Sequence, residues 1–286
     1  MNRRIVITLA VALTSMLASA PVFTQATEDS ANRFPQVGAI MLWQVDEAGA
    51  PQRLLAFVSG TLIRDRVMVT AGHFTAPVKA IGTLPPHIRA FASFNPTDAR
   101  DARAWIPVVR MATHPSMPPC PPPPQCDPTD DVLVAPLQPG ISDVGLVFLE
   151  AAPKGIDPAR LADPDALERA EGAETSIVGY GTTEPMARVT PPDMSVWDGK
   201  RRIRTSTIRR VVDETWALWS IPSYVCHGDS GGGIFLNEHP TKDRRAERLV
   251  ANVSDGGSDC RRHNNNHRLD TAKVQRWIDE TIANSG

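Results

Sequence analysis

Residues 226–236 read "CHGDSGGGIFL" and place Ser230 in a glycine-rich turn, between a cysteine and a short apolar run. The stretch satisfies the loose pattern G-x-S-x-G, in which a serine hydroxyl is exposed on a strand-to-helix turn. A serine becomes a nucleophile only where a base lies within hydrogen-bond reach and an acid fixes the tautomer of that base. The turn therefore directs attention to the histidines and acids elsewhere in the chain.

His73 has the sequence context best suited to such a base. It lies in the run "VMVTAGHF", residues 67–74, an apolar strand pattern that ends in small residues and then turns. The other histidines lie in proline- or asparagine-rich loops or next to the serine. Because His73 precedes the serine and a strand pattern follows Ser230, the strand-to-helix interpretation of the turn is disfavoured.

Strand patterns dominate the chain. Short runs rich in Val, Ile and Leu recur from about Phe34 onward, separated by clusters of Gly, Pro, Asp and Asn, which favours antiparallel strands in a barrel or sandwich. Helical periodicity is weak until residues 271–283, "TAKVQRWIDETIA", where one face collects Ala272, Val274, Trp277, Ile278 and Ile282. The patterns predict an all-β domain closed by one C-terminal helix.

Several segments, in order, resemble the trypsin/chymotrypsin-like serine protease family, as a bacterial secreted member. They are "SGTLI" (59–63), "VMVTAGHF" (67–74), "SDVGLVFLE" (142–150), "SIVGYG" (176–181) and "CHGDSGGGIF" (226–235). The match covers nearly all of residues 34–286. It implies two six-stranded antiparallel Greek-key barrels with a C-terminal α-helix, and a secreted serine endopeptidase that needs no cofactor. A catalytically latent binding or scaffold protein on the same fold is the alternative.

Carried over to the matching positions, the resemblance makes Ser230 the nucleophile, His73 the general base and Asp143 the orienting carboxylate. The backbone N–H groups of Gly228 and Ser230 would form the oxyanion hole. Asp131 is an alternative acid, because it also precedes an apolar run. Only the run after Asp143 continues unbroken, and it leads to the proline-rich crossover expected between two barrels.

The resemblance also assigns the substrate pocket. Tyr224, six residues before Ser230, stands at the pocket base, where cleavage after Arg or Lys requires an aspartate; a non-basic primary specificity is therefore predicted. Ser254 matches a serine close to the catalytic aspartate, and Gly256 follows on the same substrate-binding strand. Asp255 stands where the family usually has tryptophan, and either attracts a cationic substrate group or caps a turn.

Four cysteines allow three pairings, and an oxidising compartment favours disulfides. The resemblance pairs Cys226 with Cys260. Cys120 and Cys126 are predicted to bridge the proline-rich insertion 115–130, which cannot pair as a central strand because proline lacks the N–H donor. A polyproline ligand for another protein is the alternative interpretation of this insertion.

Residues 1–26 have the layout of a signal peptide: Arg3 and Arg4, an apolar run too short to span a bilayer comfortably, then small residues. Cleavage after Ala26 is preferred to cleavage after Ala20, which would leave a terminal proline. The predicted mature domain is 27–286, secreted or periplasmic, with no stable membrane span after cleavage. An uncleaved anchor is the alternative, and a pro-segment near residues 27–33 is left open.

The resemblance implies a protein or peptide substrate, and the charge balance agrees with the absence of a nucleic-acid partner. The formal net charge is −2, which argues against nucleic acid as the main partner. Arginine-rich residues 200–210, "KRRIRTSTIRR", are interpreted as a solvated edge strand rather than an anion-binding patch. His263 and His267 lack a thiolate or carboxylate at ligand spacing, so no metal site is predicted.

One family feature is missing. The family's digestive members begin with an Ile-Val-Gly-Gly segment whose freed amine pairs with the aspartate beside the serine, which is Asp229 here. No such segment precedes "FPQVGAI", residues 34–40. The partner of Asp229 and the mode of activation are therefore open at the level of sequence.

Overall fold

The computed structural model describes residues 26–119, 140–186, 194–220, 224–236, 247–256, 260 and 264–285. The described chain begins with a two-residue strand, β1 (Thr27–Glu28). The alternative acid Asp131, the predicted Cys120–Cys126 bridge, nearly all of the predicted signal peptide and most of the proline-rich insertion lie outside these residues. In the part of the chain that is described, no helix is both long and apolar enough to cross a membrane.

The first barrel is a closed antiparallel sheet of six strands. They are β2 (Val37–Val45), β3 (Pro51–Arg64), β4 (Val67–Thr70), β5 (Ile88–Ser93), β6 (Trp105–Thr113) and β7 (Gly145–Leu149). The strand order is β2-β3-β4-β7-β6-β5, and β5 pairs back with β2. Its interior is filled by side chains of these strands, including Ile40, Leu62, Met68 and Val147.

The second barrel follows the same plan. Its strands are β8 (Glu174–Gly179), β9 (Arg202–Val211), β10 (Trp216–Trp219), β11 (Gly233–Leu236), β12 (Arg248–Asp255) and β13 (Asn265–Arg268). The order is β9-β10-β13-β12-β11-β8, and pairing of β8 with β9 closes the barrel. Strand β1 adds to the outside of this barrel by pairing with β9. The prediction of two six-stranded antiparallel barrels is confirmed.

Within the described ranges two α-helices accompany the barrels, and short 3-10 turns cover Ala102–Ala104, Leu167–Arg169 and Met194–Val196. The predicted C-terminal helix is α2 (Ala272–Ala283), which begins where the Thr271 side chain accepts a hydrogen bond from the Val274 N–H. Helix α1 (Gly72–Ile81) was not predicted. Its ten residues contain Pro77 and no apolar stripe long enough to signal a helix, so packing against β6 and β7 stabilises it instead.

The edge-strand interpretation of residues 200–210 is wrong. Strand β9 is paired on both sides, with β8 and β10. Arg202 and Arg204 of this strand are buried, and so is Arg201, which directly precedes it. Arg201, Arg202 and Arg204 each meet a carboxylate, respectively Asp29, Asp198 and Asp229. Buried charges are tolerated where they are paired. Asp198 is close to Arg202 in sequence, but Asp29 and Asp229 lie far from their arginines. A local sequence pattern therefore could not reveal these two ion pairs.

Candidate active site

His73 is the second residue of α1, and Ala71 alone links that helix to β4. Its side chain is almost fully buried, and its ring nitrogen Nδ1 lies 2.9 Å from Oδ2 of Asp143. The backbone N–H of His73 donates to the other oxygen, Oδ1, at 2.7 Å. An ionised carboxylate can only accept, so Nδ1 carries the proton and Nε2 is the basic nitrogen.

Asp143 is held from the second barrel as well. The Ser254 hydroxyl donates to Oδ2 of Asp143. The Asn252 side-chain amide donates to the backbone carbonyl of Asp143 at 3.2 Å. Both residues belong to β12, so this strand of the second barrel holds both the side chain and the backbone of Asp143.

These contacts shift the pKa values of the pair in opposite directions. Burial disfavours the charged form of Asp143, but the charge of His73 and the hydrogen bonds from His73 and Ser254 outweigh it and lower its pKa to about 2. Burial also disfavours the charged form of His73, yet the Asp143 carboxylate and the charge of Asp255 raise the pKa of the imidazole above its usual value. The pair is therefore suited to accept a proton on His73.

The turn that carries Ser230 lies next to the junction that leads to His73. A Cβ added to Gly231 would be 2.6 Å from the backbone nitrogen of Ala71. The carbonyl of Ser230 accepts from the Ser59 N–H at 2.9 Å, which ties the turn to β3. Among the described residues, the Ser230 hydroxyl makes no hydrogen bond to the His73 ring; such bonds are often long in free enzymes and shorten when substrate binds.

The backbone donors of the turn fall into two sets. The N–H groups of Asp229, Gly231 and Gly232 all donate to backbone carbonyls. Within the part of the chain that the structure describes, those of Gly228 and Ser230 donate to no protein acceptor. Two unused backbone donors in the turn that carries the nucleophile are what an oxyanion hole requires.

Gly228 is constrained by two features. Its φ of +89° lies in the left-handed region, and a Cβ there would be 2.0 Å from the ring of Phe57. That ring stacks on Trp197 at a centroid distance of 4.3 Å, and the Trp197 indole N–H donates to the Tyr180 carbonyl at 2.6 Å. Phe57 and Trp197 were missed by sequence analysis, because no local signal marks an aromatic pair that meets across the barrels.

Gly256, one of the residues assigned to the pocket, lies against the backbone of Val225, the neighbour of Tyr224. Tyr224 has a left-handed φ of 56°, and a Cβ on Gly256 would be 2.4 Å from the Val225 carbonyl oxygen. The end of β12 therefore lies directly against the segment that leads to Ser230. The predicted disulfide between Cys226 and Cys260 is confirmed, with their Cα atoms 4.7 Å apart.

Asp229 has a partner that sequence analysis left open. It is fully buried, and Nη1 of Arg204 donates to its Oδ1 at 3.0 Å while Nη2 lies 2.9 Å from Oδ2. Arg204 belongs to the strand that had been interpreted as solvated. The charge of Asp229, the residue before Ser230, is therefore neutralised by an arginine of the second barrel.

His267 is not part of a metal site in the described structure. No group of three or more potential ligands occurs in the described residues. The His267 ring is fully buried against Trp216, with ring centroids 5.3 Å apart, and neither of its nitrogens has a hydrogen-bond partner among the described residues. Burial lowers the pKa of His267 to about 3, so the ring is neutral in the folded protein.

Two closed six-stranded barrels with a C-terminal helix place the molecule in the double β-barrel class. The model of the family described as Trypsin matches residues 125–278, and the chain belongs to that family. The fold is also similar to a solved structure titled "Structure of GrC", with a TM-score of 0.58 and 16% identity, covering 90% of this chain and 98% of that one. No curated protein matches the chain.

Proposed function

We propose that this protein is a secreted or periplasmic serine endopeptidase that uses His73, Asp143 and Ser230. One observation supports this most: a buried His73–Asp143 pair lies beside a serine turn whose Gly228 and Ser230 N–H groups have no protein acceptor among the described residues. Membership of the trypsin family makes a protein or peptide the expected substrate. The disulfide is consistent with an oxidising compartment.

In the proposed reaction, the Ser230 hydroxyl oxygen attacks the scissile carbonyl carbon and its proton moves to Nε2 of His73. The carbonyl oxygen becomes an oxyanion that accepts hydrogen bonds from the N–H groups of Gly228 and Ser230. The C–N bond then breaks, and the amine leaves with the proton from His73. Water attacks the acyl-enzyme by the same route and restores the serine. Asp143 stabilises the imidazolium without taking its proton.

Substrate selection is proposed to follow from Tyr224. Tyrosine at the pocket base offers no carboxylate to an Arg or Lys side chain, and a tyrosine ring placed in the pocket would shorten it. Small apolar side chains are therefore the expected primary residues. Profiling on a peptide library tests this, and a strong preference for Arg substrates would refute it.

The nucleophile is tested with a fluorophosphonate probe and intact-mass measurement of the exported protein. We expect one adduct on the wild type and none on the Ser230→Ala variant, because only an activated serine reacts. The same substitution should lower kcat by roughly 10⁶-fold, the magnitude measured for an unrelated triad enzyme. Absence of an adduct on folded, disulfide-bonded wild type would instead support the latent binding or scaffold protein.

A further inference from the structure

His267 and Asn252 lie directly opposite each other on neighbouring strands of the second barrel. His267 belongs to β13 and Asn252 to β12, and the antiparallel register pairs the two residues. Side chains of such a pair leave the sheet on the same face, with Cβ atoms about 4.5–5.5 Å apart. Both side chains are fully buried. The imidazole and the amide are therefore neighbours inside the barrel.

The face of the sheet that carries this pair also meets Asp143. Asn252 donates to the Asp143 carbonyl at 3.2 Å, and Ser254, two residues further along β12, donates to its carboxylate. Burial has the largest effect on the pKa of His267 and lowers it, and the charge of the Asp143 carboxylate partly offsets that effect. Asp143 is thus close enough to the ring to act on its charge, and Asn252 lies on the same face of the sheet.

The hydrogen-bonding groups of Asn252 and His267 are only partly used. A backbone carbonyl can only accept, so Asn252 turns its NH2 group towards Asp143 and its Oδ1 the other way. Among the described residues, this Oδ1 accepts no hydrogen bond and neither ring nitrogen of His267 has a partner. The neutral ring carries one N–H donor. Because an unpaired buried polar group costs stability, the donor and the acceptor are each other's expected partners.

We propose that His267 is a positioning residue whose ring N–H donates to Oδ1 of Asn252, directly or through one bridging water, and so holds the amide that binds the backbone of Asp143. The proposal rests on the proposed function, since Asp143 is the orienting carboxylate assigned there. His267 acts on the reaction only through Asn252 and Asp143.

The role depends on the two different ends of an amide. If the Asn252 amide turned over, its Oδ1 would face the Asp143 carbonyl oxygen, and two acceptors repel each other. A donor at His267 prevents this, because an N–H pairs only with the oxygen end. The backbone of Asp143 then stays where its two carboxylate oxygens accept from the backbone N–H and the ring of His73.

Strand β13 orients a second buried amide in a comparable way. Nδ2 of Asn266 donates to Oδ1 of Asn264 at 2.8 Å, and Oδ1 of Asn266 accepts from the Ser254 N–H at 3.4 Å. The amide that supports the backbone of Ser254 is therefore fixed by a hydrogen bond at its other end. The same principle, applied to Asn252, requires a donor on the side of His267.

The test compares His267→Phe, which keeps a ring against Trp216 but has no donor, with His267→Gln, which retains an N–H donor. Arg268→Lys is the matched control, because Arg268 is the next residue of β13, is buried and paired with Asp270, and points to the opposite face of the sheet. The first measurement is the downfield 1H NMR resonance of the His73 Nδ1 proton in the substrate-free protein. We expect it to move upfield in His267→Phe and to stay near its wild-type position in the other two variants.

Kinetic constants provide the second measurement. In His267→Phe we expect kcat to fall about 10-fold, and by no more than about 10²-fold, with KM unchanged, because one hydrogen bond is lost and the carboxylate is slightly displaced. A weaker contact with Asp143 lowers the pKa of His73, so the acid limb of the pH dependence of kcat/KM should move to lower pH. His267→Gln and Arg268→Lys should keep both properties. A wild-type resonance and a wild-type kcat in folded His267→Phe would overturn the proposal.

A double variant tests whether His267 acts through Asn252. If it does, His267→Phe/Asn252→Val should have the same kcat as Asn252→Val alone, whereas multiplied losses would refute the connection. Replacing both partners by apolar groups can be nearly neutral for stability, so this comparison also decides the question if His267→Phe alone does not fold. If the wild type takes no fluorophosphonate label, the proposed function fails, and the NMR resonance alone decides whether His267 positions Asp143.

Discussion

Among single residues, Gly228 occupies a position in the site that leaves no room for a side chain. Its φ is left-handed, and the Phe57 ring occupies the space where a side chain would begin. The glycine was predicted from its position in the serine turn. The aromatic ring that makes the glycine obligatory was not, because Phe57 lies on β3 and meets the turn only in the folded protein.

Replacement of Gly228 by alanine tests this constraint. The left-handed conformation alone costs an alanine about 1–2 kcal/mol, and the Phe57 ring must also move. We expect kcat to fall by at least 10²-fold, since the Gly228 N–H is displaced from the oxyanion. Steady-state kinetics on a peptide substrate provide the measurement.

Gly82→Ala is the matched control, because Gly82 has a φ of +83° and open space around its Cβ position. The Gly82→Ala variant should lose only the stability that the left-handed backbone costs an alanine, and its kcat should stay unchanged. Equal losses of kcat in the two variants would contradict the explanation.

At the scale of elements, the N-terminal segment is part of the folded protein. Strand β1 pairs with β9, and Asp29 is buried beside Arg201, with Oδ2 3.0 Å from Nε. Arg201 also donates to the Val37 carbonyl of β2 at 2.8 Å, which links this segment to both barrels.

Substitution of Asp29 by alanine should destabilise the protein by about 3–5 kcal/mol, because it leaves the Arg201 charge buried without its carboxylate. Chemical denaturation monitored by tryptophan fluorescence provides the free energy of unfolding. Glu28→Ala is the control, since Glu28 forms only an exposed ion pair with Lys200, and such pairs contribute little. A loss no larger than that of the control would show that the segment is dispensable.

At the scale of the whole molecule, buried titratable groups make stability depend on pH. The folded protein binds a proton at His267 only near pH 3, whereas the unfolded chain binds one near the ordinary pKa of 6.5. Between these values the unfolded state holds more protons, so the free energy of unfolding falls as the pH drops from about 6.5 towards 3. Asp143, with its pKa of about 2, adds to the loss at lower pH.

His267→Phe keeps an aromatic ring and removes the proton site. We expect its free energy of unfolding to fall less steeply between pH 6.5 and 4 than that of the wild type. His87→Phe is the control, because His87 is exposed. The plot of its free energy of unfolding against pH should run parallel to that of the wild type. Parallel curves for all three proteins would show that His267 does not contribute to acid sensitivity.

The class of fold, the C-terminal helix and the Cys226–Cys260 pair were predictable from the amino-acid sequence, because each depends on a local pattern or on motifs in a family's order. Short apolar strand runs, glycine in tight turns and the apolar face of a helix are properties of neighbouring residues. Helix α1 lacked such a local signal, and only packing decides that it forms.

The pairing of the buried charges is visible only in the folded protein. Arg204 lies on β9 and Asp229 in the turn that carries Ser230. Without a carboxylate at that place in the fold, the same arginine-rich stretch would face solvent. Whether a charge can be buried depends on the partner that meets it after folding, through desolvation and Coulomb attraction at short distance. That balance is fixed by three-dimensional contact and leaves no trace in the order of neighbouring residues.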